Sequence, residues 1–428
     1  MAIKKHSPAW ALAALLLFSP VPAEAQGVNL DWSVFQNGSS RSAANVNFRN
    51  GAALIERVLV DPGTSSDLAG RLTDTLDEIE DLALTDPKAA ARAGKQLIGE
   101  AAISSMTMAL TAARQIQNIQ GARLHEYREN PWNRAGSAPA AGFGASLNRV
   151  WISGLGQWTR QSDRDGIKGY KADIGGVVLG VDREAATIPG LQIGLSGSFS
   201  TGRLKNNDSY SETDIDAATV GLYGSYNFFG GFFIDANAAY GRAEHTAETK
   251  LLLGGKKKGD FDSQSYQAGA TFGYVYRDPA GFRVTPSVGL QYYRYSQDSW
   301  REKVTRDPEG IAVANWFKKA DNDVWEAPVK LKAATTVITG TGTVLTPELR
   351  LGLVCVLHKP DTGLRMGFVG SDQAVKIYGI DSSRNRFQVG GGLRAQVTSA
   401  VDIFVDYDLE FRTGQRAHNA ALGLGVDF

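Results

Sequence analysis

A single cysteine, Cys355, in 428 residues leaves no partner for an intrachain disulfide and no thiolate cluster for a metal. An excess of one charge is missing too. The 45 Lys and Arg against 45 Asp and Glu give a formal net charge of +0, so no polybasic field points to a nucleic-acid partner. The five histidines are scattered and suggest no metal site. No G-x-S-x-G elbow, H-E-x-x-H helix or Walker loop occurs, so neither a catalytic motif nor a cofactor is expected. Past the first two dozen residues no run approaches the ~18 apolar residues of a membrane-spanning helix. Nor is there an internal repeat.

What is present begins with an address. MAIKK is basic, AWALAALLLF is an apolar stretch half the ~20 residues needed to cross a bilayer, and Ala23-Glu24-Ala25 is an A-x-A cleavage site. Residues 1–25 therefore read as a signal peptide. An exported chain without a spanning helix is either dissolved outside the cytoplasm or inserted as a barrel. Residues 26–85 read as a short passenger or linker. Its first part, to about residue 62, has no clear period, whereas Leu68, Leu72, Leu76 and Ile79 recur at three- and four-residue steps and predict a helix. Asp86-Pro87 opens an Ala-rich stretch, and residues 86–130 are expected to be a helical segment ended by Pro131. Its part from 101 to 129 would be roughly 40 Å long at 1.5 Å per residue, enough to thread a barrel.

From residue 146 to 428 the period is two. About twelve segments alternate, each long enough for the ~9–11 residues of a tilted transmembrane strand. Every second connector is tight: 188–190, Gly230-Gly231, 278–281, 339–342 and Ser399-Ala400. Several others are long and polar, at 247–261, 297–322 and 359–383. A soluble two-sheet sandwich has no reason to alternate in this way; an outer-membrane barrel does. The expected fold is an all-β transmembrane barrel of about twelve antiparallel strands, with the preceding α-helical segment in its lumen.

The segment VDIFVDYDLEFR shows which face meets lipid. Val401, Ile403, Val405, Tyr407, Leu409 and Phe411 share one parity; Asp402, Phe404, Asp406, Asp408, Glu410 and Arg412 share the other. Charge at the bilayer midplane is costly, so the acids belong in a wet interior, paired with bases. The same parity rule nominates Asp235, Lys330, Lys332, Glu348, Arg350 and Arg394 as lumen residues. Cys355 falls on the lipid parity as a small hydrophobe. Phe228, Phe229, Phe232 and Phe233, with Tyr292, Tyr293, Trp300, Trp316 and Trp325, are expected in interfacial girdles. Lys256, Lys257 and Lys258 read as solvated loop charge. The terminal segment HNAALGLGVDF sets Leu422, Leu424, Val426 and Phe428 on its apolar side, and that alternation suggests an assembly signal.

The chain resembles the type V autotransporters, specifically their C-terminal translocator. The resemblance rests on LTDPKAAARAGKQLIGEAAISS ahead of the barrel, on NRVWISGLGQWTRQSDRDG with Trp151 and Trp158 in the first strand, and on the ordered helix, barrel and terminal phenylalanine. It implies a monomeric barrel in the bacterial outer membrane that contacts lipid and holds a helix in its lumen. Arg114, Arg123 or Glu126 would bond the wall. It further implies export through the Sec channel, insertion by the barrel-assembly machinery and an N-terminal segment at the cell surface. Relatives that cut themselves do so at an Asn-Asn pair in the lumen; the helix here has only Asn118 and no such pair, so Asn-mediated release is not expected. Two other readings remain: an adhesin acting through loops 297–322 and 359–383, and a diffusion pore plugged by the helix. A rim of His245, His358 and His418 beside acids is similar in placement to the omptin proteases, but those have ten strands and no preceding helix. No enzymatic activity is expected.

Overall fold

A computed structural model describes residues 43–129 and 148–428, apart from positions 186, 209, 341, 360, 361, 382, 383 and 399. The expected signal peptide and the passenger up to residue 42 lie outside these residues, as do Ser399 of the last tight turn and Thr341 of the one before it.

Twelve long strands form the barrel: β1 Asn148–Gln161, β2 Tyr170–Glu184, β3 Leu191–Asn206, β4 Ser211–Asn227, β5 Phe232–Lys250 and β6 Lys256–Tyr274, then β7 Arg283–Gln297, β8 Ala320–Ala334, β9 Val344–His358, β10 Asn385–Gln396, β11 Val401–Arg412 and β12 Gln415–Asp427. Each is antiparallel to the next, and β12 closes on β1 with Ile152 opposite Leu424 and Trp158 opposite His418. Closure leaves no ladder edge to be desolvated in lipid. The alternation in the sequence becomes two surfaces. Ile403, Val405, Tyr407 and Phe411 of β11 are exposed to the outside, while Asp402, Phe404, Asp406 and Glu410 are buried inside. Gly230 and Gly231, at φ 76° and 92°, make a turn that other residues would strain. The expected tight turns share one end and the two longest connectors, 298–319 and 359–384, lie at the other, which puts that end outside the cell. The expected long connector at 247–261 is instead strand on both sides of a five-residue turn, 251–255, and β11 and β12 join by a two-residue turn at that same end, because strand pairing continues past the membrane into the cap.

The girdle is narrower than expected. Phe228, Phe232 and Trp325 are well exposed, and Tyr292 lies against Trp325 with ring centroids 4.8 Å apart. Phe233 and Tyr293 have the opposite parity to Phe232 and Tyr292 and are buried in the lumen. Trp300 is buried and Trp316 half-buried in structure above the barrel.

That structure is the main departure from the sequence reading. Strands Trp300–Arg301, Asn315–Phe317, Gly363–Phe368 and Val375–Tyr378, drawn from the two longest connectors, make a second sheet. On it pack helices α1 Ala43–Val60, α2 Ser66–Thr85 and α3 Pro87–Leu97. Ser65 caps α2 by accepting from Leu68 N at 3.2 Å. The Asp86 carboxylate caps α3 through Lys88 N and Ala89 N, both 3.0 Å, with Pro87 at the first helical position. Phe48, Leu54, Leu72, Leu76 and Ile79 meet Trp300, Phe317, Leu364, Met366 and Phe368 in one apolar core. The part of the expected passenger that is described, residues 43–85, is thus a folded layer over the barrel mouth.

The expected helical segment 86–130 is broken. α3 ends at Leu97 with Ile98 as its C-cap, Gly99 turns left-handed at φ 62°, and a 3₁₀ turn, Glu100–Ile103, leads into α4, Ser104–Glu129. A side chain at Gly99 would meet the Phe317 ring at 2.9 Å, so only glycine fits there. Among the described residues, only α4 lies in the bore.

Candidate functional site: the filled bore and its cap

Helix α4 is tied to the barrel wall by polar groups at several heights. Arg114 donates to Glu326 at 2.6 Å, and Arg386 holds the same carboxylate through two bonds of 3.1 and 3.0 Å. Gln115 reaches Gly156 O at 3.1 Å, and Gln120 reaches Ser196 Oγ at 2.9 Å. Arg123 grips Asp182 with two bonds of 2.9 and 3.0 Å. Tyr223 donates to Asp182 at 2.9 Å and accepts from Trp151 Nε1 at 2.8 Å. Near the periplasmic end Arg128 bonds Ser225 at 2.6 Å and Asp235 at 2.9 Å, its guanidinium 3.7 Å from the Phe233 ring centre. A forked arginine–carboxylate pair fixes direction as well as distance. Ion pairs this deeply buried add little net stability over apolar packing, and breaking one leaves a buried charge. Their effect is to set the height and rotation of the helix in the bore.

The lumen residues named from parity sit as follows. Asp235 meets Arg128. Lys332 lies 3.4 Å from Glu348, which also contacts Arg350. Arg350 bridges Asp406 at 2.6 Å and Asp408 at 3.0 Å. Arg394 is 4.0 Å from Asp402, which also pairs with Arg149. Glu410 pairs with Arg386 at 3.0 Å, and Arg412 donates to Gln415 at 2.7 Å. Lys330 lines a cavity of about 170 Å³ between α4 and the wall from β5 to β12, to which the helix presents Asn118, Gly121, Ala122 and His125. Leu422, Leu424, Val426 and Phe428 are exposed on the outer surface. The Glu126 side chain lies outside the described residues. Sequence reasoning missed Asp182 and Arg386, although each occupies an inward parity position and was open to the same rule.

Over the mouth, a buried polar clamp joins the cap to the barrel. Lys257 is 1% exposed, not solvated. Its ammonium lies 2.8 Å from Glu302 and donates to Asn315 Oδ1 at 2.5 Å and to Gln96 O, at the end of α3, at 3.2 Å. Asn315 donates its side chain to Leu97 O at 2.9 Å and its backbone N–H to Glu302 at 2.9 Å. A lysine at a helix C-terminus complements the orphan carbonyls and the dipole there. On the far side of the cap, the Asn47 amide donates to Tyr378 O at 2.8 Å and accepts from Tyr378 N at 2.7 Å, so α1 occupies the edge of the second sheet. His245 is buried as well, stacked on Phe261 at 4.5 Å and bonded to Ser263 at 2.8 Å. It is part of this packing and not a solvated rim group.

Comparison with known proteins agrees with this geometry. The family described as "Autotransporter beta-domain" matches residues 150–408. "Outer membrane protein B" of Rickettsia prowazekii (strain Madrid E) is 25% identical over 293 residues, covering 65% of this chain and 17% of that protein. The protein of the same name from Rickettsia japonica is 26% identical over 345 residues, covering 74% and 20%. The chain thus spans about a fifth of the length of these relatives. The translocator domain of autotransporter NalP from Neisseria meningitidis shares the fold, with a TM-score of 0.56 at 15% identity, over 74% of this chain and 98% of that one. A closed barrel of twelve strands, threaded by a helix and matched over most of its length, leads to one conclusion: the chain belongs to the autotransporter family, as an outer-membrane translocator of the β-domain type.

Proposed function

We propose that this translocator carries its own N-terminal segment to the cell surface and keeps residues 43–103 there as a folded cap, without catalysing a reaction. The division is a leader over 1–25, an exported segment to residue 103, the bore helix 104–129 and the barrel 148–428. The path of α4 carries this reading: it starts beneath the cap at Ser104 and ends beside Asp235 and Arg277 near the tight-turn end. Sec export, the barrel-assembly machinery acting on the outward row Leu422, Leu424, Val426 and Phe428, and a monomeric barrel in outer-membrane lipid complete the proposal. The two long connectors spend much of their apolar surface on the cap core, which weighs against a free adhesive loop.

An epitope inserted between Gly63 and Thr64, in the turn joining α1 and α2, tests the topology. It should be decorated by antibody on intact cells; decoration only after permeabilisation would refute surface display. In planar bilayers the full chain should conduct little and a form lacking residues 43–129 much more. Equal conductance would refute the plug.

A further inference from the structure

On the outer surface, four basic residues stand directly opposite one another across four neighbouring strands. Arg416 of β12 pairs in register with Arg160 of β1, Arg160 with Lys171 of β2, and Lys171 with Lys205 of β3. All four are exposed. They share the outward parity of Val150, Ile152, Val177, Leu179, Leu422 and Leu424 further down the same strands, so they face away from the bore. With strands ~4.8 Å apart, the row is roughly 14 Å long. Like charges directly opposed across a ladder destabilise it, and little here offsets them. Lys205 pairs with Glu212 at 3.3 Å. Arg160, Lys171 and Arg416 have no ion pair among the described residues. Asp173 is the nearest carboxylate in the neighbouring row, opposite Trp158 and Arg203, and Arg203 is taken by Asp214 at 2.6 Å.

The height of the row is informative. One outward position below it, Trp158 is 48% exposed and opposite His418, whose ring nitrogen is 2.6 Å from the Tyr407 hydroxyl. Amphipathic rings of this kind mark the boundary between hydrocarbon and headgroups. The cations lie just past that boundary, at the long-connector end, level with the headgroups of the outer leaflet.

We propose that Arg416, Arg160, Lys171 and Lys205 form a binding row for the phosphate groups of an outer-leaflet glycolipid, whose acyl chains lie along the apolar outer face of β12, β1 and β2. The lipid supplies the anions that Arg160, Lys171 and Arg416 lack within the barrel. The row lies over the β12–β1 seam, so a bound lipid also bridges the two strands whose pairing closes the barrel.

The test uses the full chain in detergent and native mass spectrometry to count retained lipid, with lipid A as probe. Each charge near an anionic headgroup is expected to contribute roughly fivefold, so R160Q/K171Q/R416Q should bind about 100-fold more weakly. The charge-retaining R160K/R416K should stay within a few-fold of wild type. Heat-modifiable gel mobility reports that each variant is folded. Lipid A lacking its phosphates should bind wild type and triple variant alike. Unchanged affinity in the folded triple variant would overturn the proposal, as would equal wild-type binding of phosphorylated and dephosphorylated lipid. Inorganic phosphate at millimolar concentration should displace lipid A only weakly. Complete displacement would reassign the row to free phosphate and overturn the lipid.

Discussion

Replacing Lys257 by Met should release the cap and leave the barrel intact. The ammonium is buried against Glu302 at 2.8 Å, with Glu302 itself 8% exposed. Removing one member of such a pair strands the other, at a cost of about 3–5 kcal/mol. At ~1.4 kcal/mol per tenfold, the undocked fraction rises roughly 10²- to 10⁴-fold. In K257M/E302L no charge is stranded. Asn315 Oδ1, which Lys257 served, is left without that donor in both variants, and the Gln96 carbonyl keeps Gly99 N; what the double variant adds is the Asn315 N–H that Glu302 accepted, about 1–3 kcal/mol against the ~3–5 of the stranded charge. The double variant is therefore expected to hold its cap better than the single one. Hydrogen exchange over residues 43–97 reads the cap, and heat-modifiable mobility reads the barrel. Unchanged protection of α1–α3 in K257M would refute the clamp. Equal loss of protection in the β1–β12 ladders would show that cap and barrel unfold together, refuting their energetic separation.

Other consequences can be measured in the same way. R123Q should loosen α4 by about 3–5 kcal/mol and raise single-channel current, while R123Q/D182N should recover part of the loss, because neither variant partner is then a stranded charge. Burial pushes the Glu100 carboxyl above its ordinary 4.5, opposed by Lys95 at 3.8 Å and the Asn47 amide. The docked cap thus binds more protons there than the released one, and docking weakens as pH rises from about 4.5. E100Q should flatten that slope in pulse proteolysis without reversing it. L422R would put a cation on the outer face of β12, costing roughly 2–4 kcal/mol if the site is near the midplane, read as reduced refolding into vesicles.

The barrel was legible because its two environments impose a strict period of two, and long strands repeat that signal many times. The sides of Asp406, Arg350 and Leu422 follow from it, as do the tight turns. The cap was not legible for a different reason. Its strands are two to six residues long, and the pairing that unites them, Asn315–Phe317 with Gly363–Phe368, runs between two connectors, so no local pattern announces them. The period of α1 is interrupted by Asn47 and Gly51, both buried. One bonds the edge of the second sheet, and the other leaves room for Ile98. Lys257 shares the inward parity of Phe261 and Ser263, unlike Lys256 and Lys258, but parity does not separate a wet interior from a closed one. Burial of the middle lysine depends on Gln96 and Asn315, distant in the chain and meeting it only in the fold.

The second sheet has a consequence for the order of events at the membrane. Its strands come from barrel connectors, but its core is completed by α1–α3, which on the export route proposed above would reach the far side as an unfolded thread. Once α1–α3 condense on that sheet, the assembled layer is broader than the thread that passed, and Gly99 is pinned beneath Phe317. On that route condensation would work like the pawl of a winch, each helix that folds outside making slipping back costlier.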